Sequence, residues 1–244
     1  MSHPSPVSVA LLADIFERLR GRTLHIHALT SPVAAERTAN TLLALGVRPS
    51  LTVNPEEIGA FVARCDGLLI NLGMADPVRE QGAAKALATI AGTGKRWVLD
   101  PVFVDVSPRR RAMALDMVAA GPAILKANVA ESAIKAHATS AMVCVVTGDP
   151  DLVTQDERRL TIANGHVNAR RVTAMGCALG AVMAAFLAVE EDAFLAAAAA
   201  LVVYGIAGDI AGRMSAGPGS FATSFLDALS AMDGNTVKQQ ANIT

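Results

Sequence analysis

Residues 67–108 read GLLINLGMADPVREQGAAKALATIAGTGKRWVLDPVFVDVSP, and this stretch decides the fold. Residues 67–71 and 96–100 are short apolar runs of the kind that form strands buried on both faces. Between them, Asp76-Pro77 sets a capping carboxylate before a proline suited to the first helical turn. Ser107-Pro108 repeats the device after the second run. Strand, helix start, strand and helix start in that order describe a parallel sheet joined by crossover helices.

The pattern extends in both directions. Ser31-Pro32 and Asn54-Pro55 carry the same helix-start punctuation, and further apolar runs lie at residues 23–28, 123–126 and 141–147. Residues 152–154 and 160–163 read as a hairpin at one edge of the sheet. From Cys177 to about Met232 the chain reads as successive helices, broken at Glu190–Asp192 and at Gly217-Pro218-Gly219. The expected fold is a three-layer α/β/α arrangement with a mostly parallel central sheet and a helical C-terminal third. One domain is expected over residues 1–244, with flexible ends at 1–7 and 234–244.

Composition narrows the function. The 244 residues are 52% hydrophobic, enough for a large core, and 21 basic against 22 acidic residues leave a net charge of −1. No extended tract of Lys or Arg marks a nucleic-acid or anionic-lipid surface, so small uncharged or mildly anionic ligands are expected. Cys65, Cys144 and Cys177 lack the spacing of a disulfide framework or a zinc site, which suits a reducing cytoplasm. The opening residues MSHPSP have no signal-peptide pattern. Residues 172–189 and 193–208 are apolar enough to raise a membrane hairpin. Their acidic turn has no flanking basic residues, and two helices buried in a soluble core account for the same letters.

Chemistry concentrates in Arg171-Val172-Thr173-Ala174-Met175-Gly176-Cys177-Ala178-Leu179-Gly180-Ala181. A small-residue turn there opens an Ala-rich helix, and the first backbone N–H groups of a helix have no intrahelical partner. Those of Met175, Gly176 and Cys177 are placed to cradle a phosphoryl group, and the same field is expected to favour a thiolate at Cys177. In open α/β sheets ligands bind beyond the carboxyl ends of the strands. Those ends carry Asn71 and Gly73, Asp100-Pro101, Lys126-Ala127-Asn128 with Glu131, and Thr147-Gly148-Asp149. Asp100 and Glu131 suit Mg²⁺ held through water, and Lys126 suits phosphate oxygens as a point charge. Together they point to nucleotide-dependent phosphoryl transfer. Two other motifs fall away: Ala91-Gly92-Thr93-Gly94-Lys95-Arg96 lacks the first glycine and the Ser/Thr of a P-loop, and Gly217-Pro218-Gly219-Ser220 is a turn before a helix. His25, His27, His137 and His166 form no metal cluster or triad by spacing.

The chain resembles the hydroxyethylthiazole kinase family, a thiamine-salvage branch of the ribokinase-like superfamily. The resemblance rests on residues 38–46 (TANTLLALG), Leu69-Ile70-Asn71-Leu72-Gly73, Val98-Leu99-Asp100-Pro101-Val102, Asn128 with Glu131, and Val145-Val146-Thr147-Gly148. Gly176-Cys177-Ala178-Leu179-Gly180 and Gly217-Pro218-Gly219-Ser220-Phe221 complete it, with a cysteine where most of the superfamily has a catalytic aspartate. It implies transfer of the ATP γ-phosphoryl group to the hydroxyl of 4-methyl-5-(2-hydroxyethyl)thiazole. In that picture Cys177 is catalytic, and Ala174, Met175 and Gly176 form the anion hole. Lys126, Thr147 and Asn128 bind ATP, Asp100 and Glu131 serve Mg²⁺, and Leu51, Asn71, Gly73 and Ala174 form the thiazole pocket. The resemblance also implies a cytoplasmic homotrimer with active sites between subunits.

The chain departs from the family pattern in places. Lys126 stands for an arginine, Leu51 for a methionine, and Thr30-Ser31-Pro32 for a Thr-Asn start. Asp105 stands for a glycine, which is expected to bring negative charge near the triphosphate. Ala174-Met175 stands for a Gly-Thr pair, which takes a hydroxyl from the anion site but leaves its backbone donors. Residues 132–142 lack the family's Gly-rich loop and further helix. One covering layer is therefore expected to be thin, its strand covered by a subunit contact, and ATP affinity to be the property most affected. On sequence alone, a kinase for another small heteroaromatic alcohol and a non-catalytic metabolite-binding relative remain alternatives.

Overall fold

A computed structural model describes residues 7–244. Along the chain the first elements are α1 (Val9–Arg20), β1 (His25–Leu29), α2 (Pro32–Ala44), β2 (Arg48–Ser50), α3 (Ile58–Arg64), β3 (Gly67–Asn71) and α4 (Pro77–Ala91). Then come β4 (Trp97–Asp100), α5 (Pro108–Ala119), β5 (Ile124–Asn128), β6 (Val143–Thr147), β7 (Asp151–Gln155) and β8 (Arg158–Ile162). The chain finishes with α6 (Met175–Leu187), α7 (Ala193–Met214), α8 (Pro218–Ala231) and α9 (Gly234–Gln240). Short 3₁₀ helices lie at Ser132–His137 and Val167–Arg171.

The strands form one sheet in the order β2-β1-β3-β4-β5-β6-β7-β8. The first six run parallel, and β7 and β8 add an antiparallel hairpin at the edge. The strand order reverses between β1 and β3, the crevice where a doubly wound sheet opens for a ligand. Helix starts follow the punctuation at Asp76 and Ser107, whose side chains accept from Arg79 N and Arg110 N. Ser31 caps α2 without a side-chain hydrogen bond. Asn54-Pro55 departs from expectation: Asn54 Oδ1 accepts from Glu56 N at 3.0 Å, closing a local turn, and α3 begins only at Ile58. The short β2 was not anticipated; it contains Pro49, which an edge strand tolerates.

Each face of the sheet carries its own apolar core. On one, α1, α2, α6, α7 and α8 pack against Ile26, Leu69, Val98, Ile124 and Val143. On the other, α3, α4, α5 and the segment around Ile134 cover Leu68, Ile70, Leu99 and Leu125. Helix α6 lies directly on β3: a Cβ at Gly67 would stand 2.5 Å from Ala184 O, and one at Gly180 would stand 2.9 Å from Leu69 Cδ1. This close approach brings the N-terminus of α6 to the carboxyl ends of β3 and β4. Helix α7 is long and apolar enough to span a membrane, yet 78% of its most apolar window is buried in the protein core.

Two expectations change. The tail 234–244 is ordered: α9 packs on α1, Asp233 caps it, and Ile243 bridges Ile162 beyond β8. Buried Val237 supplies the apolar anchor that a flexible tail would lack. Of the expected flexible start, residues 1–6 lie outside the described residues, and Val7 packs against the core. The short crossover between β5 and β6 contains only the 3₁₀ helix, and its Ile134 and Met142, each 3% exposed, cover the strand from within the chain.

Candidate functional site

Parallel register aligns the polar strand ends. Asn71 on β3 pairs with Asp100 on β4, and Leu99 with Leu125, which brings Asp100 beside Lys126 on β5. Asn71, Asp100 and Lys126 are all buried. Asn71 Nδ2 donates to Asp100 Oδ2 at 2.7 Å, and Asn71 Oδ1 accepts from Gly73 N at 3.0 Å. Lys126 Nζ stands 3.1 Å from Asp100 Oδ1 but off the direction of a hydrogen bond, so that oxygen lacks a hydrogen-bond partner. Burial opposes the charge on Lys126, but Asp100, joined by Cys177 and Glu131, outweighs it and the ammonium pKa is held up. Burial pushes the Asp100 carboxyl up, opposed by Lys126 and Asn71 and helped by Glu131.

The turn into α6 completes this cluster. Ala174 is its N-cap with φ 68° and ψ 8°, a left-handed conformation that costs a residue with a Cβ about 1–2 kcal/mol. A Cβ at Gly176 would lie 3.7 Å from Lys126 Nζ, so the ammonium faces the backbone of the turn. Met175 turns its side chain into the core, 4% exposed, and contributes only backbone to the turn. Cys177 is half-buried, and its pKa goes opposite to the sequence expectation of a thiolate. Burial pushes the thiol up and Asp100 adds to it; Lys126 and a hydrogen bond from Asn71 only partly offset them. Burial first, and the neighbouring carboxylate second, set the direction at this helix N-terminus.

A second cluster follows β5. Asn128 N donates to Glu131 Oε2 at 3.0 Å, Glu131 N donates to Asn128 Oδ1 at 3.0 Å, and Phe103 N donates to Glu131 Oε1 at 2.8 Å. Glu131 therefore braces the loop after β4 to the end of β5 in a reciprocal capping arrangement. Among the described residues no group of three His, Cys, Asp or Glu side chains gathers to hold a metal ion. Asp100 Oδ1, which has the Lys126 ion pair but no hydrogen-bond partner, fits Mg²⁺, which takes one or two carboxylates and keeps several waters. Both Glu131 oxygens already accept backbone N–H groups, so Glu131 fits only through water.

Beyond these clusters opens a cavity of about 690 Å³, walled by Asn128, Thr147, Asp151, Arg170, Gly176 and Tyr204 among others. Thr147 Oγ1 donates weakly to Ala127 O, 3.4 Å away. Asp105 is exposed and is not among the residues that wall the cavity. Past the end of β3, Gly73 is required by crowding, since a Cβ there would meet Asn71 Oδ1 at 2.9 Å. Leu51 lies one residue past β2, half-buried. Non-glycine residues with positive φ recur in the loops around the site, at Met74, Phe103 and Ala174. Sequence reasoning missed Asp151, Arg170 and Tyr204. Asp151 accepts from Gly148 N at 2.7 Å, and burial pushes its carboxyl up to about 6. Tyr204, the chain's one tyrosine, was findable: a lone hydroxyl in an apolar helix requires a partner.

The profile of the hydroxyethylthiazole kinase family matches residues 16–142 and 132–235, two segments that meet at the shortened crossover. A protein of Agrobacterium fabrum named probable hydroxyethylthiazole kinase is 38% identical over 236 residues, covering 97% of this chain and 96% of its own. A solved structure of a hydroxyethylthiazole kinase protein from Pyrococcus horikoshii OT3 superposes with a TM-score of 0.90 at 30% identity. It covers 96% of this chain and 98% of that one. A ribokinase-like superfamily protein of Enterococcus faecalis V583 superposes at a TM-score of 0.60 with 11% identity, covering 94% of this chain and 90% of that one, a likeness of fold alone.

Proposed function

The chain belongs to the hydroxyethylthiazole kinase family, and from that premise we propose how it acts as a hydroxyethylthiazole kinase through the residues gathered at its strand ends. The reaction moves the γ-phosphoryl group of ATP to the primary hydroxyl of 4-methyl-5-(2-hydroxyethyl)thiazole, a step of thiamine biosynthesis. The observation that carries the residue assignment is the buried contact of Asn71, Asp100 and Lys126 beneath the turn that opens α6.

Phosphoryl transfer through a loose transition state depends on positioning and charge more than on covalent chemistry. Lys126, fixed by Asp100, holds a positive charge next to the N–H groups of Gly176 and Cys177, where charge develops on the transferring group. Cys177 stands beside the acceptor hydroxyl as a neutral thiol and orients it as a hydrogen-bond acceptor, while the hydroxyl proton passes late in the step to an oxygen of the transferring phosphoryl group. Asp100, and Glu131 through water, would hold Mg²⁺; the ion would neutralise the β- and γ-phosphate oxygens. The triphosphate and base occupy the cavity between Asn128, Thr147 and Gly176. The thiazole ring lies against Leu51, Asn71, Gly73 and Ala174.

A homotrimer with shared active sites belongs to the same proposal. Met74 and Val78, 53% and 50% exposed beside Gly73, support it as apolar surface next to the acceptor pocket. A single kinase domain in the cytoplasm accords with the use of ATP and with three free thiols. The test is formation of the thiazole phosphate by the purified protein with ATP and Mg²⁺, measured as product. Product is expected, with Cys177→Ala slowing kcat by up to about 100-fold; equal kcat in that variant would remove Cys177 from the reaction.

A further inference from the structure

The turn that binds the phosphoryl group is held in a conformation its own residues do not favour. Ala174 has a left-handed backbone with a Cβ present, and it offers no side-chain cap to α6. Such a conformation persists only where surrounding structure fixes it. The fixing contact comes from α7: Tyr204 Oη donates to Met175 O at 2.7 Å and touches Met175 Sδ at 3.8 Å. Tyr204 is 8% exposed, and its ring packs on Phe225 of α8 with centroids 4.7 Å apart. It is therefore held by two helices while it holds the residue between Ala174 and Gly176.

We propose that Tyr204 is the positioning residue of the anion turn: its buried hydroxyl clamps the Met175 carbonyl, keeps Ala174 left-handed, and aims the Gly176 and Cys177 N–H groups before nucleotide arrives. The proposal rests on the kinase reading of the site. Tyr204 touches no reacting atom. Its contribution is preorganisation, so the clamp matters most because residue 174 is alanine; glycine adopts the same backbone without strain.

The experiment is a cycle of four proteins: wild type, Tyr204→Phe, Ala174→Gly and the double variant. Tyr204→Phe keeps the ring in its Phe225 contact, and its melting temperature is expected to stay within a few degrees of wild type. Its kcat is expected to fall about tenfold, the worth of one hydrogen bond, with the KM for the thiazole unchanged. In the Ala174→Gly background the same replacement is expected to cost less than about threefold. Unchanged kcat in Tyr204→Phe would overturn the proposal. An equal loss in both backgrounds would overturn it too, because the hydroxyl would then act elsewhere than on the turn. If the wild type made no thiazole phosphate, the kinase reading would fall, and affinity for adenylyl imidodiphosphate in the same four proteins would judge the clamp. A loss of affinity confined to the Ala174 background supports it, and equal affinities overturn it.

Discussion

The two faces of the sheet are covered by layers of different depth. Helix α6 lies over β1, β3 and β4 and α7 over β6, β7 and β8, with α1, α2 and α8 packed around them. Among the described residues the opposite face has α3, α4 and α5, and beyond them only the 3₁₀ helix 132–137. The site is divided the same way. The α6 turn, Cys177 and Tyr204 hang from the deep layer, whereas Phe103, Asn128 at the end of β5, and Glu131 lie on the side of the thin one. In the proposed site the anion turn thus stands on close-packed helices, and the residues proposed for the nucleotide stand on the thinly covered side.

Paired core truncations test that division most severely. Phe186 on α6 is fully buried and stacks on Phe16, so Phe186→Ala is expected to cost about 3–5 kcal/mol in urea unfolding. Ile134 on the thin face should cost about 2 kcal/mol as alanine, the low end for such a change, because little else packs over the 3₁₀ helix. Its kinetic effect should be selective: a severalfold rise in KM for ATP through a loosened Glu131 brace, with the thiazole KM unchanged. Similar unfolding costs, or two KM values moving together, would break the distinction between faces.

The sequence carried the face pattern unevenly, for physical reasons. Runs such as residues 67–71 and 96–100 were legible because burial on both sides demands unbroken apolar letters. The Asp76 and Ser107 starts were legible because capping is a local bond. Asn54 misled because the same side chain also closes a turn, and β2 escaped notice because three residues around a proline have no periodicity. In the site, Asn71, Asp100 and Lys126 could be listed from strand ends, but their mutual contact depends on register. The direction at the Cys177 thiol was not legible because burial, and after it Asp100, act through contacts distant in sequence. Tyr204 and Asp151 enter the site only through helix packing and the hairpin edge.

Acid sharpens the comparison further, since the thin face buries a histidine. His27 is fully buried against Phe61, with Nδ1 2.8 Å from Ser50 Oγ and Nε2 3.0 Å from Thr52 O. Burial pushes its pKa down from 6.5 to about 4; the Thr52 carbonyl and Glu57 oppose this, and His25 adds to it. A depressed folded pKa means that the unfolded chain binds the proton more readily. The stability from this site is whole above pH 6.5 and is lost as pH falls towards 4, at up to about 1.4 kcal/mol per unit. Urea midpoints between pH 7.5 and 4.5, with His27 followed by NMR, would show it. An imidazole titrating near 6.5 would mean that the thin layer admits water to β1.

The smallest effect concerns Asp151, at the edge of the deep face, and its sign is reversed. Burial raises its carboxyl to about 6, against the Gly148 N–H, Lys126 and Arg170, with Asp149 adding to the rise. A raised folded pKa favours the protonated form, so its stabilising contribution is present below pH 3.8 and lost as pH rises through 6. Above pH 6 the same carboxylate puts negative charge into the cavity wall that is to receive a triphosphate. Between pH 5.5 and 7.5 the KM for ATP should therefore rise about two- to threefold more in wild type than in Asp151→Asn, a modest factor because the group is only partly buried and counter-ions still reach it. The asparagine oxygen still accepts from Gly148 N, which keeps the turn. Comparing the two proteins as a ratio cancels the ionisation of ATP itself. Parallel profiles would place Asp151 outside the reach of the phosphates and move the triphosphate towards Lys126 and the α6 turn.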